Sequence, residues 1–361
     1  MSKLHDLHTF GQSPWLDYIR KDMVHNGELA SLIEQGVRGV TSNPTIFENA
    51  IVKSDLYEET IQALGKEGKT KEEIYDALAF SDIKQACDLL LSVYHKTDRA
   101  DGFVSLEVPP ALCDDHRQTI EEAKRIWKAI DRPNLMIKVP ATKEGLLAIT
   151  ALIGEGINVN VTLMFTKQDY REVAKAYIDG LVQLDQHGGD LAGVASVASV
   201  FVSRIDSAIE SQVKEPLLSS LLGKVALANT RAIYQLFLSE FQAERFLALA
   251  KKGARVQRPL WASTGTKNKS LSDTLYIDQL IGKDTVNTMP PATMEAFMDH
   301  GISAQTVDAH REEDQSTLQT CEEHGIDLEA IGHELQQKGL QAFSDSFVSL
   351  MNAIETVRQR G

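Results

Sequence analysis

Short runs rich in valine, isoleucine and leucine alternate along this chain with longer segments whose apolar residues recur every three or four positions. That alternation reads as repeated strand-helix units, because a period of two marks a strand and a period near 3.6 marks a helix face. The strand-like runs fall near Trp15–Ile19, Val37–Thr41, Gly102–Leu106, Leu135–Val139, Asn158–Met164, Val194–Phe201, Pro259–Ser263 and Thr285–Thr288. Eight such units are the number that closes a parallel α/β barrel, the (β/α)8 TIM barrel, and 361 residues hold one with extra helices. Between the runs, Lys167 to His187 places Tyr170, Val173, Ala174, Tyr177, Ile178, Leu181 and Leu184 on one helical face. Ser81 to Leu91 behaves in the same way, and Leu222 to Ala250 is long enough for two helices or one extended one. From His300 onward the pattern is helical, with Leu328 to Arg358 carrying a helix that breaks near Gly339. The chain is therefore expected to form a barrel over residues 1–299 and a C-terminal helical extension over 300–361 that packs on it.

Composition narrows the partners. With 43% hydrophobic and 24% charged residues the chain has the balance of an ordinary globular protein. A formal net charge of −14 argues against nucleic acid, whose phosphate backbone demands a basic footprint, but leaves room for a small phosphorylated ligand in a locally basic pocket. Cys87, Cys113 and Cys321 have neither metal-ligand spacing nor an even framework, which points to a reducing cytoplasm. No signal-like or membrane-spanning apolar run is apparent. The ten histidines lack the spacing of a metal centre, so neither a metal nor a cofactor is expected. Gly188-Gly189 reads as loop punctuation, and Trp15, Trp127 and Trp261 as core or pocket wall.

In a parallel barrel the chemistry sits at the C-terminal ends of the strands, so the polar residues placed there carry the functional reading. Lys138 stands out in Asn134-Leu-Met-Ile-Lys-Val-Pro140, where an apolar strand ends on a lysine. Burial disfavours an ammonium and favours the free amine, the form that attacks a carbonyl carbon and makes a Schiff base. The competing reading is a lysine that snorkels from a strand end to solvent. The other strand ends supply Asp17, Asn43 in Thr41-Ser-Asn-Pro-Thr-Ile-Phe47, Glu107 in Val104-Ser-Leu-Glu-Val108, and Asn160 with Thr162 in Asn158-Val-Asn-Val-Thr-Leu-Met164. Ser199 and Arg204 attend the sixth run, and Lys267 follows the seventh in Trp261-Ala-Ser-Thr-Gly-Thr-Lys-Asn268.

These motifs, in this order from about Trp15 to Thr293, resemble those of the transaldolase family: Thr-Ser-Asn-Pro-Thr with Ile-Phe, Val-Ser-x-Glu-Val, Ile-Lys-Val-Pro-Ala-Thr and Asn-Val-Thr-Leu. The resemblance implies a class I aldol mechanism on a (β/α)8 barrel in the pentose phosphate pathway. A dihydroxyacetone unit would pass from sedoheptulose 7-phosphate to glyceraldehyde 3-phosphate, giving erythrose 4-phosphate and fructose 6-phosphate. It further implies Lys138 as the Schiff-base nucleophile, Asp17 as acid and base at the C4 hydroxyl, and Glu107 with Thr162 as a proton relay through a shared water. Asn43 and Asn160 offer donors and acceptors to the substrate hydroxyls, although Ser-Asn-Pro is also a turn signal.

Ser199, Arg204 and Lys267 are expected to bind the phosphate. Arg204 opens a helix, where a cation is badly placed for the dipole, and either a bound phosphate or Asp206 would offset that. Lys267 departs from the arginine of the shorter family branch and gives a point charge in place of a bidentate fork. Sugar phosphates are thus the expected partners, with a second copy of the chain left open and neither nucleic acid nor membrane expected. The alternatives are a fructose 6-phosphate aldolase, whose members are shorter and carry tyrosine where Phe201 stands, and a non-catalytic sugar phosphate binder on a decayed barrel. Asp17, Glu107, Lys138 and Thr162 together speak against decay, since binding alone requires no acid, base and nucleophile set.

Overall fold

The computed structural model describes residues 2–360. Its strands are β1 (Gln12–Leu16), β2 (Gly39–Thr41), β3 (Phe103–Glu107), β4 (Leu135–Pro140), β5 (Val159–Met164), β6 (Ser196–Phe201), β7 (Arg258–Ala262) and β8 (Thr285–Met289). They pair in sequence order, and β8 returns to β1 in a closed parallel barrel, with Gln12 opposite Thr285 and Leu16 opposite Met289. Seven strands are buried along their whole length and β7 lacks only Arg258, because one face fills the barrel and the other lies under helices. The eight expected strands and the barrel they imply are therefore present. Several boundaries shift by a residue or more, and one shift bears on the site: β1 runs from Gln12 to Leu16, so Asp17 follows the strand and is held there by its amide, which donates to the Met289 carbonyl at 2.8 Å.

The N-terminal mouth of the barrel is closed by a polar plug. Asp101 accepts from Ser13 Oγ at 2.6 Å, Trp15 Nε1 at 3.2 Å and Arg258 Nη2 at 2.9 Å, which ties β1 and β7 to the turn that leads into β3. Gly39 makes room for this arrangement, since a Cβ there would lie 2.5 Å from the Trp15 indole. With that end sealed, the opening is at the C-terminal ends of the strands.

The helices follow their apolar stripes. Lys167–Gln186 begins with a capping box in which Thr166 and Asp169 satisfy each other's backbone amides. The long stretch before β7 resolves into two helices, Val225–Glu240 and Glu244–Ala250. The last helix differs from expectation: Leu328–Arg358 is continuous through Gly339. A Cβ at Gly339 would sit 2.7 Å from Leu163 Cδ2, so this glycine permits close approach to β5 and does not end the helix. The helix packs against Pro44–Val52, Glu58–Lys66 and Lys71–Lys96, and its Phe343, Leu350, Met351 and Ile354 belong to the same apolar cluster as the barrel walls. Among the described residues no helix is long and apolar enough to cross a membrane.

Candidate active site

Asp17, Asn43, Lys138, Thr162, Ser199, Arg204 and Lys267 all line one cavity of ≈ 350 Å³ at the C-terminal mouth of the barrel. Strand register explains part of this. Glu107 is the direct neighbour of Lys138 across β3 and β4, and Lys138 that of Asn160 across β4 and β5, so three polar side chains fall in one row. Ile137 and Val139 on either side point the opposite way, into the apolar layer under the helices.

Lys138 is only 4% exposed. Its Nζ donates to the Ser42 carbonyl at 3.1 Å, lies 3.5 Å from Glu107 Oε2 and sits 5.9 Å from the centre of the Phe343 ring. The snorkelling alternative is thereby excluded. Burial pushes the Glu107 carboxyl up to about 7, against the pull of the Lys138 charge and with a smaller push from Asp17. At 3.5 Å the Lys138 contact is an ion pair rather than a hydrogen bond, and Glu107 Oε2 keeps no hydrogen-bond partner. Thr162 Oγ1, fully buried, has none either. Buried polar atoms are nearly always bonded, so two unpaired oxygens flanking a buried amine are groups free to bond a reacting oxygen.

Asp17 borders the cavity from the end of β1. Thr41 Oγ1 donates to Asp17 Oδ1 at 2.6 Å, which leaves Thr288 as the donor in its 2.7 Å contact with Thr41. Although Asp17 opens onto the cavity, the surrounding protein raises its pKa; the Lys138 charge, the Thr41 hydroxyl and the Arg204 charge oppose that rise. A carboxylate poised in this way can accept a proton and return it.

Arg204 stands in the first turn of Ser203–Gln212 with its guanidinium 4.9 Å from the Phe201 ring centre. Burial lowers its pKa, opposed by Asp17, and among the described residues it has neither an ion pair nor a hydrogen bond. Asp206 does not neutralise it. Its carboxylate accepts from the Ala226 amide at 2.9 Å and the Tyr276 hydroxyl at 2.7 Å, because it faces the neighbouring helix start and not the cavity. Lys267 lies exposed at the rim. Ser199 Oγ donates to Asn160 Oδ1 at 2.7 Å, and Asn160 Nδ2 donates to Ser105 Oγ at 3.0 Å. Asn160 thus has both ends of its amide engaged inside the barrel and is not among the cavity-lining residues. Asn43 caps Pro44–Val52 through Oδ1, which accepts from the Ile46 amide, so its turn role holds and its amide nitrogen remains for a ligand.

Three contributors escaped the sequence reading. Thr41 belongs to a motif already singled out, yet its bond to Asp17 depends on the pairing of β1 with β2. Thr288 carries no local signal beyond its place at a strand end. Phe343 comes from the C-terminal helix, whose docking is a tertiary fact.

A closed (β/α)8 barrel with an amine buried beside two carboxylates at its open end defines a class of lysine-bearing barrel enzymes. A family model described as Transaldolase/Fructose-6-phosphate aldolase matches residues 14–354. The chain is 43% identical to a protein named Transaldolase from Trichodesmium erythraeum, over 97% of this chain and 96% of the relative. It is 44% identical to a Transaldolase from Thermobifida fusca over 98% and 97%, and 42% identical to a Transaldolase 2 from a Nostoc species over 98% and 97%. This chain belongs to the transaldolase/fructose-6-phosphate aldolase family.

Proposed function

We propose that this chain is a transaldolase, moving a three-carbon dihydroxyacetone unit from a ketose phosphate to an aldose phosphate through a Schiff base on Lys138. The observation that carries the reading is the burial of Lys138 against Glu107, with Thr162 Oγ1 unpaired in the same cavity. As the free amine, Lys138 attacks C2 of the donor, and the carbinolamine hydroxyl leaves as water to give an iminium. Glu107, whose carboxyl burial holds up at about 7, and Thr162 deliver and remove the protons of that exchange. Asp17 then takes the proton of the C4 hydroxyl. The C3–C4 bond breaks, its electrons pass into the iminium, and the aldose leaves while the enamine stays on Lys138. Reversal on a new aldehyde forms the bond, with Asp17 returning its proton to the nascent alkoxide. Water then hydrolyses the product iminium. Arg204, cationic and unpaired, suits the substrate phosphate, with Lys267 at the rim in support.

Borohydride reduction in the presence of fructose 6-phosphate, followed by intact mass and peptide mapping, tests the chemistry. A three-carbon adduct on the Lys138 peptide is expected, and erythrose 4-phosphate added before the reductant should discharge it. An unmodified Lys138 under conditions where the sugar binds would refute the proposal.

A further inference from the structure

The C-terminal helix reaches the site at a place the chemistry above does not use. Gln336, 8% exposed, directs both protons of its amide nitrogen at backbone carbonyls: Ala141 O at 3.0 Å and Leu163 O at 3.1 Å. Ala141 directly follows β4 and Leu163 is the penultimate residue of β5, the strands that carry Lys138 and Thr162. The residue between them is Thr162 itself, whose carbonyl accepts from the Ala141 amide at 2.8 Å. Here β5 is also irregular. Val161 pairs with Ala198 and Met164 with Val200, so β5 holds one residue more than β6 between these pairs. Leu163 takes up the excess with φ at +60°, a left-handed conformation that leucine rarely adopts. Bulges of this kind re-aim a side chain beside an active site. Gly339, one turn beyond Gln336, lets the helix close onto both Leu163 and the Arg204 guanidinium, and Phe343 lines the cavity near Lys138.

We propose that Gln336 is a positioning residue for the transfer reaction: it clamps the ends of β4 and β5 so that the Leu163 bulge aims the Thr162 hydroxyl at the Schiff-base centre. The proposal rests on the Schiff-base reading above. Because Thr162 serves the loss and return of water at the iminium, loosening its strand should slow that step more than it weakens sugar binding.

The test uses Gln336→Met, which keeps length and volume but has no donor, with fructose 6-phosphate as donor and timed borohydride quenching to follow iminium formation. The single-turnover rate and kcat are expected to fall together by about tenfold or more with KM nearly unchanged, since small misplacements near the reacting atoms have large effects on rate. Met351→Ala is the control: it lies in the same helix, outside the cavity, and should lose thermal stability without losing kcat. Gln336→Glu adds a pH signature, because its carboxyl regains a donor only when protonated; its activity relative to wild type should rise as pH falls. Wild-type rates in Gln336→Met, an equal kcat loss in Met351→Ala, or a flat Gln336→Glu ratio would each overturn the positioning role. A wild-type enzyme that gives no Lys138 adduct would instead remove the Schiff-base reading on which it stands.

Discussion

Replacing Glu107 by glutamine should make the protein more stable at alkaline pH while disabling it. In the unfolded chain this carboxyl titrates near its ordinary value of 4.5, whereas burial in the native barrel holds it up at about 7. Between those values the native state keeps a proton that the unfolded state has released, so wild-type stability falls as pH rises across the window and the loss is complete above it. At about 1.4 kcal/mol per pH unit the full loss is about 3 kcal/mol. Glutamine does not titrate and escapes it. The attraction of Lys138 for the ionised carboxylate opposes the rise and is already contained in that value of about 7. Asp82 and Asp206, both raised to about 6 by burial, titrate in both proteins and cancel. With an unfolding entropy of about 2 cal/mol/K per residue, 3 kcal/mol in a chain of this length is a Tm difference of about 4 °C. Thermal unfolding of both proteins, followed by circular dichroism from about pH 4 to about pH 8.5, should give a difference in Tm that grows with pH by about this amount. The same variant should lose about 10²–10⁴ in kcat as its proton relay fails. A Tm difference that is flat, or that shrinks as pH rises, would refute the buried, proton-holding Glu107 on which the relay depends.

Lys138→Arg is expected to fold and to bind sugar phosphate but to form no borohydride adduct and no product, since arginine keeps the charge and is not a nucleophile at neutral pH; retained transfer in a coupled assay would sink the assignment. Asp17→Asn should still form the Schiff base while kcat drops about 10²–10⁴. Reduction should then trap the intact ketose phosphate on Lys138, and a three-carbon adduct at the wild-type rate would show that Asp17 is not the C4 base. Arg204→Ala should raise KM for fructose 6-phosphate by about tenfold to a hundredfold, the worth of charged hydrogen bonds to the phosphate. It should leave turnover of unphosphorylated fructose unchanged, and equal losses on both sugars would place the phosphate elsewhere.

What could be read from the sequence was what local pattern encodes. Strand-helix alternation gives the barrel, because each strand and each helix writes its own period into the chain. The strand-end rule then brings Asp17, Lys138, Thr162 and Arg204 to one mouth, since parallel strands deliver their last residues to the same side. Where local pattern and tertiary packing diverge, the reading fails. Gly339 has the look of a helix break, yet its role is to let Leu163 and Arg204 approach the helix backbone. Asp206 is close to Arg204 in sequence, but a helical turn directs it to Ala226 and Tyr276. Phe343 and Gln336 had no signal, since each looks like any half-apolar helix position until the helix is docked.

The two ends of the barrel show why a helix from so late in the chain matters. At the closed end Asp101, Ser13, Trp15 and Arg258 bond to one another, which fixes the strands there without regard to any ligand. At the open end the same polar closure would consume the groups that chemistry requires: Glu107 Oε2 and Thr162 Oγ1 accept no hydrogen bond, and Arg204 has no partner among the described residues. A site whose own side chains are left free must be held by its backbone, and the carbonyls at strand ends that the barrel ladder does not use are the handles available. Ser42 offers its carbonyl to Lys138, while Ala141 and Leu163 offer theirs to Gln336. The strained Leu163 conformation can persist only where its surroundings determine it from several sides. Gln336 bonds its carbonyl from above, and Gly339 admits its side chain into the helix face. The C-terminal helix therefore supplies from outside the barrel the rigidity that the strand ends give up in keeping their polar groups free to react.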